Sequence, residues 1–335
     1  MLRKGDIVVA TSSGSLDVVG KAASVEHDIQ ASFGAFCKVV RPGESADSHY
    51  LANYFKTAKY RSIISSLAAG ANINNLRNEH INSLEIPLPP LAEQKRIAAI
   101  LDKADAIRRK LQQSLRLSDD FLRSVFLDMF GDPVTNPKGW PQHTLASIIG
   151  DSFRNGLSPS TSGTVAGKVL TLSAVTSGTF APQFLRDAIF DRAPSKNQQV
   201  TPNTFLICRG NGNKSMVGIG VFPEADMPSV SFPDTMIACT IDRTQIEPEY
   251  LQAMWSTAKV RKQIDAGART TNGTYKVNQT FLAGIEFPLP PLAIQKHFSG
   301  ITQATRSQTA KTAELAAESE ALFSSLQQRA FRGEL

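Results

Sequence analysis

The sequence predicts an α+β protein made of two similar halves, in each of which a long helix follows a globular domain. The first observation is a repeated segment: EIPLPPLAEQKRIAAILDKAD begins at Glu85, and EFPLPPLAIQKHFSGITQAT begins at Glu286. The second is that YLANYFKTAKYRSII from Tyr50 matches YLQAMWSTAKVRKQI from Tyr250. The third is a set of short apolar runs, such as TFLICR and MIACTI, which are typical of strands because Gly, Asn and Pro separate them. A repeat of about 200 residues indicates two duplicated domains and not a solenoid.

The two halves begin differently. GDIVVATSSG near the N-terminus already aligns with NTFLICRGNG, whereas the second half starts near Trp140 and runs to Thr201 before this match begins. The first half therefore has no counterpart of that stretch. We predict a partial first globular domain at 1–92, a first spacer helix at 93–132, a second globular domain at 133–292 and a second spacer helix at 293–335.

The proline segments predict a stiff exit from each globular domain. Pro87, Pro89 and Pro90 exclude a helix and a central strand at their positions, and each proline also restricts the residue before it. A helix can begin directly after Pro90, and Glu93 lies where a helix N-terminus favours negative charge. The turn-rich stretch DPVTNPKGWP ends the first helix and predicts a linker.

The spacer helices carry apolar stripes. In the first helix the stripe runs through Ile97, Ile100, Ala104, Ile107 and Leu111, which step by three and four residues as in a coiled-coil seam. The corresponding positions of the second helix are Phe298, Ile301, Thr305, Gln308, Thr312, Leu315, Ser319, Leu322 and Leu326. Neither helix can bury its stripe alone, so we predict an antiparallel coiled coil of the two. The alternative is that each helix packs on its own domain.

Composition narrows the class of protein. Hydrophobic residues make up 41% of the chain and charged residues 20%, the balance of a soluble globular protein. The formal net charge of +6 suits a nucleic-acid partner without proving one. The three cysteines form no CxxC pair, so buried thiols are expected in place of a zinc site or a disulfide framework. Without a long apolar run or a signal peptide, the expected location is the cytoplasm, with no membrane partner.

The sequence carries no recognisable catalytic motif. There is no GxxxxGK[ST] phosphate loop, no HExxH and no GxSxG, and RGNGNKSMVG has Ser215 where a dinucleotide fingerprint needs its third glycine. We therefore predict no catalytic residue, no metal ligand and no cofactor. A duplicated protein with stiff spacers and no catalytic site is expected to be a recognition subunit or a scaffolding subunit.

The proline segments and the linker FGDPVTNPKGWP resemble the specificity subunits of type I restriction–modification systems, across nearly the whole chain. The resemblance implies two target-recognition domains that each read half of a bipartite DNA sequence, with two long helices between them as a ruler. It also implies two DNA-methyltransferase subunits that grip those helices and a restriction subunit that joins the complex. S-adenosylmethionine and ATP belong to those partners. Members of the family usually have a complete first recognition domain, and this chain departs from that pattern.

The expected function is therefore that of a non-catalytic subunit which binds double-stranded DNA and positions methyltransferase and restriction subunits. The alternative is an assembly or modulator subunit that binds the methyltransferase subunits without full DNA specificity. A homodimer of the chain, which would restore the missing half, is left open.

Two segments of the second half and one of the first are candidates for DNA contact. Basic residues can bind phosphates or guanine, Asn can pair with adenine, and glycines let a loop approach the bases closely. The candidates are Arg209, Asn211, Asn213, Lys214, Lys259, Arg261, Lys262, Arg269, Thr270, Asn272, Tyr275 and Lys276, with Asn72, Asn74, Asn75 and Arg77 in the first half. For each basic residue the alternative is an ordinary solvated surface charge.

Overall fold

The structure is a computed structural model that describes residues 1–68, 74–195, 198–271 and 273–335. The chain divides into two compact units. Unit 1 consists of Met1–Ser118 with Gln308–Leu335, and unit 2 consists of Asp119–Ser307. Each long helix therefore contributes one part to unit 1 and the other part to unit 2. The predicted boundaries of the four sequence segments stay a prediction.

The described residues form α-helices and short strands. The helices are α1 (Ser48–Tyr54), α2 (Ala58–Ala68), α3 (Asn78–Asn82), α4 (Leu91–Phe130), α5 (Pro248–Trp255), α6 (Ala258–Gly267), α7 (Gln279–Ala283) and α8 (Leu292–Ala330). The strands of the first half are β1 (Ile7–Ala10), β2 (Ser12–Ser13), β3 (Ala22–Ser24), β4 (Cys37–Val40) and β5 (Asn74–Asn75). Those of the second half are β6 (Gln142–Thr144), β7 (Arg154–Asn155), β8 (Val165–Leu170), β9 (Leu185–Phe190), β10 (Gln199–Val200), β11 (Thr204–Cys208), β12 (Gly210–Asn211), β13 (Gly220–Val221), β14 (Met227–Ser231), β15 (Met236–Thr240), β16 (Arg269–Thr271), β17 (Thr274–Lys276) and β18 (Glu286–Pro288).

Unit 1 is built on a small antiparallel sheet with the order β3-β1-β4. Ile7 of the central strand pairs with Ser24 on one side and with Val40 on the other. Ile7 and Val9 point into the core, where both are fully buried. The sheet is covered by α1 and α2, whose buried side chains include Tyr50, Leu51, Tyr54, Tyr60 and Ile64.

Unit 2 repeats this arrangement and adds to it. Its corresponding sheet has the order β13-β11-β15-β7, so β15 carries one more strand than its counterpart β4. A second sheet has the order β10-β14-β8-β9, in which β14 and β8 are parallel. Three of its strands come from the stretch between Trp140 and Thr201 that has no counterpart in the first half. The two sheets bury two apolar clusters, with Phe205 and Ile237 in one and Leu206 and Phe232 in the other.

Both units fix the proline segment and the long helix with the same hydrogen bonds. In unit 1 the amide of Gln94 accepts from the backbone of Asp47 at 2.9 Å and donates to the carbonyl of Pro89 at 2.8 Å. In unit 2 the amide of Gln295 accepts from Glu247 at 3.0 Å and donates to Pro290 at 2.7 Å.

A tyrosine adds the same contact to each unit. The hydroxyl of Tyr50 donates to the carbonyl of Pro87 at 2.8 Å, and that of Tyr250 donates to Pro288 at 2.6 Å. The repeat seen in the sequence is therefore a repeat of atomic contacts.

The long helices pack against each other in each unit, as predicted. In unit 1 the first part of α4 lies beside the last part of α8, where Arg108 donates to Glu320 at 3.0 Å and lies over the ring of Phe323. In unit 2 the last part of α4 lies beside the first part of α8, and the ring of Phe298 contacts those of Phe126 and Phe130. Opposite ends meet in each unit, so the pairing is antiparallel. The predicted α+β class and the helix pairing are confirmed.

The seam of the helices differs from the predicted stripe. Ile97 is buried as expected, but Ile107 is 49% exposed, and Leu101 and Asp105 are buried in its place. The buried carboxylate of Asp105 is held by Arg108 at 2.7 Å, so the seam runs through polar residues that an apolar pattern does not reveal.

Two further expectations concern cysteines and membrane spans. Cys208 and Cys239 are free, buried thiols, as predicted, and Cys37 is half-buried. Burial raises the pKa of Cys208 to about 11 and raises that of Cys239 as well, so both stay protonated at neutral pH. Among the described residues, the helices are all too short or too polar to cross a bilayer.

Candidate nucleic-acid interface

A small sheet in unit 2 brings together the two segments that the sequence proposed for DNA contact. Its order is β12-β17-β16, so the glycine-rich turn after β11 pairs with the hairpin after α6. Asn211 lies opposite Tyr275, and Tyr275 lies opposite Thr270 on the other side. Lys276 is paired in the same way with Gly210 and Arg269. Residues that are about 60 positions apart in the sequence therefore share one small sheet. Its strands are only two to three residues long, so the sheet depends on tertiary packing for its stability.

This sheet exposes basic and polar side chains. Arg269, Thr270 and Lys276 are exposed, and Tyr275 is half-buried. The ammonium of Lys214 lies 5.8 Å from the centroid of the Tyr275 ring, within the range of a cation–π contact. Such a ring can contact a sugar or a base while Lys214 beside it contacts a phosphate.

The turn between β11 and the short helical turn at 214–216 is braced by its own asparagines. The side-chain oxygen of Asn211 accepts from the backbone of Asn213 at 2.9 Å. That of Asn213 accepts from the backbone of Ser215 at 3.0 Å. Arg209 is half-buried, and its guanidinium donates to the carbonyl of Asp234 at 3.1 Å. The side chains of this turn therefore shape its backbone and hold it in place.

Of the three basic candidates on α6, Arg261 has structural partners. It donates to the carbonyl of Val217 at 2.7 Å and pairs with Asp265 at 2.7 Å. Arg61 donates to the carbonyl of Val19 at 2.6 Å in the same way in unit 1.

The glycine next to each of these carbonyls has to be a glycine. Gly20 and Gly218 have φ values of 81° and 77°, and a Cβ atom on either would lie within 2.6 Å of the isoleucine that packs against it. Arg261 therefore has a structural role in unit 2. Of the other two basic candidates on α6, Lys262 is exposed and Lys259 is half-buried.

The first-half candidates lie in a smaller counterpart of this sheet. Asn74 and Asn75 form β5, which pairs with Ser12 and Ser13 of β2. Asn75 is exposed. Arg77 is exposed at the N-terminus of α3, where it lies 3.2 Å from Glu79. Asn72, and Asn272 in the second half, lie outside the described residues.

A groove on the second sheet of unit 2 was not expected from the sequence. It has a volume of about 1100 Å³, and polar side chains of β8, β9 and the neighbouring loops line it, among them Lys168, Arg186, Ser160 and Thr161. Ser229 lies at its edge with a φ of 66°, which is uncommon outside glycine and is often found at functional sites. Lys168 in the run VAGKVL and Arg186 in the run LRDAIF can be read from the sequence, but nothing in it showed that the two runs are neighbouring strands.

The site offers binding groups and no visible means of covalent catalysis. Within the described ranges, no group of three or more His, Cys, Asp or Glu side chains is placed to hold a metal ion. The thiol nearest to the sheet, that of Cys208, is neutral because burial raises its pKa. The geometry therefore suits recognition of a polyanion by cations and hydrogen bonds.

Comparison with known proteins gives three results. Residues 1–117 match the family model described as Type I restriction modification DNA specificity domain. The chain is 32% identical over 307 residues to the Type I restriction enzyme EcoKI specificity subunit of Escherichia coli (strain K12), which covers 87% of this chain and 65% of that protein. It is 31% identical over 304 residues to the StySPI specificity subunit of Salmonella potsdam, with the same two coverages. The chain thus spans 65% of the length of these two relatives.

A solved structure agrees in fold. The S subunit of a type I restriction–modification system from M. genitalium superposes with a TM-score of 0.63 at 15% identity, covering 99% of this chain and 84% of that one. At this identity the match speaks for the fold alone. The expected resemblance is nevertheless confirmed: residues 1–117 match the model of the type I restriction modification DNA specificity domain, and the chain is similar to type I specificity subunits over 87% of its length.

Proposed function

We propose that the chain is a sequence-specific, non-catalytic DNA-binding subunit of a type I restriction–modification complex. The observation that carries the proposal is the β12-β17-β16 sheet, in which two separate segments place exposed cations and hydrogen-bonding groups side by side. The relatives that support it are named as specificity subunits, and a subunit of this kind needs no catalytic residue or cofactor of its own.

The residues of this sheet would divide the work of recognition. Arg269 would reach guanine or a phosphate, and Lys276 and Lys214 would contact phosphates. Tyr275 would lie against the backbone or a base. Residues that contact phosphates position the protein, whereas contacts to base edges determine the sequence that is read.

We also infer a bipartite DNA target and an assembly with methyltransferase and restriction subunits. Helix α4 has 40 residues, so at about 1.5 Å per residue it is about 60 Å long. Half-sites on one face of DNA recur about every 34 Å. A helix of this length is therefore long enough to set a fixed spacing between two half-sites.

Exposed apolar side chains on the long helices support the inference that partner subunits bind there. In unit 1, Ile107 and Leu117 of α4 are 49% and 56% exposed, and Leu315 and Leu322 of α8 are 53% and 58% exposed. Large apolar residues that recur along exposed helix faces are typical of protein interfaces. Methyltransferase subunits that cover these faces would bury them.

The test is DNA binding and methylation by a complex of the chain with its methyltransferase subunit. Single-molecule sequencing of methylated bases would give the target sequence, and gel-shift assays with that target would give the affinity. The double variant Arg269→Ala/Lys276→Ala should bind at least about 30-fold more weakly, because each of the two lost base or phosphate contacts costs about 1–3 kcal/mol. It should also relax the preference in one half of the target.

The matched control is Lys296→Ala, an exposed lysine in the first turn of α8 that lies outside this sheet. It should leave the affinity and the methylated sequence unchanged. If the double variant methylates the same sequence with the same affinity, the sheet does not read DNA. Binding of the methyltransferase subunit without any DNA selectivity would favour the modulator function.

A further inference from the structure

An arginine of α6 holds the turn that follows β11 in unit 2. We call residues 210–217 the unit 2 turn, and its first two residues form β12 of the candidate interface. The guanidinium of Arg261 donates to the carbonyl of Val217 at 2.7 Å and to that of Ser215 at 3.5 Å. Its Nε and Nη2 atoms donate to the carboxylate of Asp265 at 3.1 and 2.7 Å. Every nitrogen of this guanidinium already has a partner within the unit, so Arg261 is placed to act on a ligand through the turn.

An arginine at the corresponding position of α2 holds a similar turn in unit 1. We call residues 12–19, which follow β1, the unit 1 turn. Arg61 donates to the carbonyl of Val19 at 2.6 Å. Its Nη2 atom also donates to the carbonyls of Leu16 at 3.2 Å and Asp17 at 3.3 Å. A guanidinium carries five N–H donors in a rigid planar fork, so one side chain fixes several carbonyls relative to each other.

The two turns have the same internal geometry. In unit 2 the side-chain oxygen of Asn211 accepts from the backbone of Asn213 at 2.9 Å, and in unit 1 the hydroxyl of Ser13 accepts from the backbone of Ser15 at 3.2 Å. The alignment of GDIVVATSSG with NTFLICRGNG places Ser13 opposite Asn211. Each turn also begins with a short paired strand, since β2 pairs with β5 as β12 pairs with β17. The unit 1 turn is therefore the structural counterpart of the unit 2 turn.

A second side chain holds each turn where it ends. The carbonyl of Gly218 accepts from the indole of Trp255 at 2.7 Å, and the carbonyl of Gly20 accepts from the hydroxyl of Tyr60 at 2.9 Å. The donors differ in residue type, but the backbone carbonyl that they bind is the same. Each turn is thus fixed to the neighbouring helices by two side chains.

The side chains that the two turns expose are different. Residues 14–18 and 212–215 are all exposed. The unit 2 turn includes a lysine, whereas the unit 1 turn, SSGSLDVV, contains neither Lys nor Arg. It exposes Leu16 and Val18, each to 40%, with the carboxylate of Asp17 between them. An exposed turn whose backbone is already fixed loses little conformational freedom when it binds a ligand, which favours recognition.

We propose that Arg261 and Arg61 are positioning residues for DNA recognition, each of which fixes a turn that contacts DNA in its own unit. The inference rests on the proposed function, because it takes the β12-β17-β16 sheet as a DNA-binding surface. Arg261 sets the place of Lys214 through the backbone of the unit 2 turn. Arg61 sets the places of Leu16 and Asp17 in the same way.

The unit 1 turn has the chemistry to contact bases. An aliphatic side chain such as Leu16 can contact the methyl group of thymine, and the carboxylate of Asp17 can accept from the amino group of cytosine. Phosphates repel a carboxylate, so this turn would contribute contacts to base edges and leave the phosphates to other residues. Contacts to base edges determine the sequence that is read, which makes the position of the turn important for specificity.

The test in unit 2 separates positioning from a direct phosphate contact. It uses the complex of the full chain with its methyltransferase subunit, single-molecule sequencing of methylated bases, and gel shifts at several salt concentrations. Arg261→Ala should bind the target at least about tenfold more weakly and relax the base preference in part of it, with an unchanged salt dependence. If the slope of log K against log[salt] instead falls by about 1 and the methylated sequence stays the same, Arg261 contacts a phosphate and the positioning role is wrong.

Two matched variants separate positioning from general destabilisation. Arg261→Lys keeps the charge and the aliphatic stem but not the planar fork, so it should also relax the preference. Gln263→Ala, on the same helix, removes two hydrogen bonds to the backbone of Glu286, at 2.7 and 2.9 Å, that lie outside the turn. It should lower the urea midpoint, as Arg261→Ala does, and leave the methylated sequence unchanged. If Gln263→Ala relaxes the preference equally, the effect is loss of stability and the inference is wrong.

The test in unit 1 uses the same complex and the same sequencing. Arg61→Ala should change the preference at base pairs other than those that Arg261→Ala affects. Leu16→Ala and Asp17→Asn should change it at the same base pairs as Arg61→Ala, with little effect on the urea midpoint because both residues are exposed. Lys59→Ala, exposed on α2 and outside the turn, should leave the methylated sequence unchanged. Methylation of the wild-type sequence by all of these variants would show that the unit 1 turn does not contact DNA.

Failure of this inference and failure of the proposed function give different results. If Arg269→Ala/Lys276→Ala relaxes the preference and Arg261→Ala does not, the sheet reads DNA without Arg261, and the positioning role alone is wrong. If neither change relaxes it, the sheet does not read DNA and both are wrong. If Arg261→Ala alone relaxes it, the unit 2 turn reads DNA and the assignment of Arg269 and Lys276 is wrong.

Discussion

Unit 1 and unit 2 share the joint, by which we mean the hydrogen bonds between the globular part, the proline segment and the start of the long helix. They differ at the edge of the core sheet and in the seam, which is the packing between the two long helices. The hydrogen bonds that tie the proline segment to the globular part are the same in both units, with Gln94 and Tyr50 in one and Gln295 and Tyr250 in the other. The sheet edge and the packing between the long helices are different. The comparison indicates that this fold requires the joint. The sheet edge can gain or lose a strand, and the helix seam can be built from different residue types.

The difference between the two helix seams is clearest at residue 105 in unit 1 and at the corresponding residue 306 in unit 2. In unit 1 the buried Asp105 binds Arg108, Arg109 and Lys56. The corresponding residue of unit 2 is Arg306, which is exposed and lines a cavity of about 470 Å³ with Thr302 and Phe298. One seam is closed by charge pairs and the other is left partly open.

The largest expected effect tests the shared joint. Gln295→Ala removes an amide whose hydrogen bonds satisfy Glu247, Gln245 and Pro290, at 3.0, 3.2 and 2.7 Å. Because three backbone groups lose their partner, and those of Glu247 and Pro290 belong to buried residues, we expect unit 2 to lose about 3 kcal/mol of stability or more. Gln94→Ala should cost unit 1 a similar amount, and urea denaturation with hydrogen exchange would locate each loss. A cost below about 1 kcal/mol in either unit would mean that the joint is not essential there.

An intermediate effect tests the charge cluster of unit 1. Asp105→Asn removes the buried carboxylate that binds three cations, and because those cations keep access to water we expect a loss of about 2 kcal/mol at pH 7. Arg306→Ala, the matched change in unit 2, should stay within about 0.5 kcal/mol, since Arg306 is exposed. Equal effects of the two changes would contradict the difference between the seams.

The pH dependence of this effect has a defined sign. Burial alone raises the pKa of Asp105, but the hydrogen bond from Arg108 and the charges of Lys56 and Arg109 outweigh it, so the pKa lies below its ordinary value of 3.8. A lowered pKa stabilises the folded state above pH 3.8, and that contribution is lost as the pH falls through the folded-state pKa. The difference in urea midpoint between the wild type and Asp105→Asn should therefore shrink below about pH 4.

The smallest expected effect is a gain in unit 2. The hydroxyl of Thr302 is buried without a hydrogen-bond partner in the described structure, and it lines the open cavity. Thr302→Leu introduces the residue found at the corresponding position of unit 1, Leu101, which is fully buried. Removing an unsatisfied hydroxyl and filling part of a cavity should add about 1 kcal/mol. Thermal denaturation would measure this, with Thr305→Leu as the control, because the hydroxyl of Thr305 already donates to Ile301 at 2.8 Å.

The sequence predicted the features that local physics determines. The two long helices follow from their apolar stripes, and their starts follow from Pro90 and Pro291, which lie just before Leu91 and Leu292. The repeat followed from direct matches between the halves.

The helix seam could not be predicted in detail, because it depends on buried polar groups. Asp105 is 4% exposed and Thr302 is 4% exposed, although both are polar. A pattern of apolar residues does not reveal a position where a polar residue is buried with its partner, as Asp105 is with Arg108.

The candidate interface was predicted as separate segments and not as one surface. The pairing of Asn211 with Tyr275 joins strands of two and three residues, which are too short to leave a pattern in the sequence. Tertiary packing decides which short strands meet, so the sheet became visible in the structure alone. The groove around Lys168 and Arg186 was missed for the same reason.

The β12-β17-β16 sheet lies outside the hydrogen-bonded joints and contributes exposed side chains at Arg269, Thr270 and Lys276. Most substitutions at such positions cost little stability, since no buried partner depends on them. Substitutions at these positions should therefore leave the scaffold and its attachment to the helices unchanged. If this sheet reads DNA as proposed, the target sequence can change without a change in the fold.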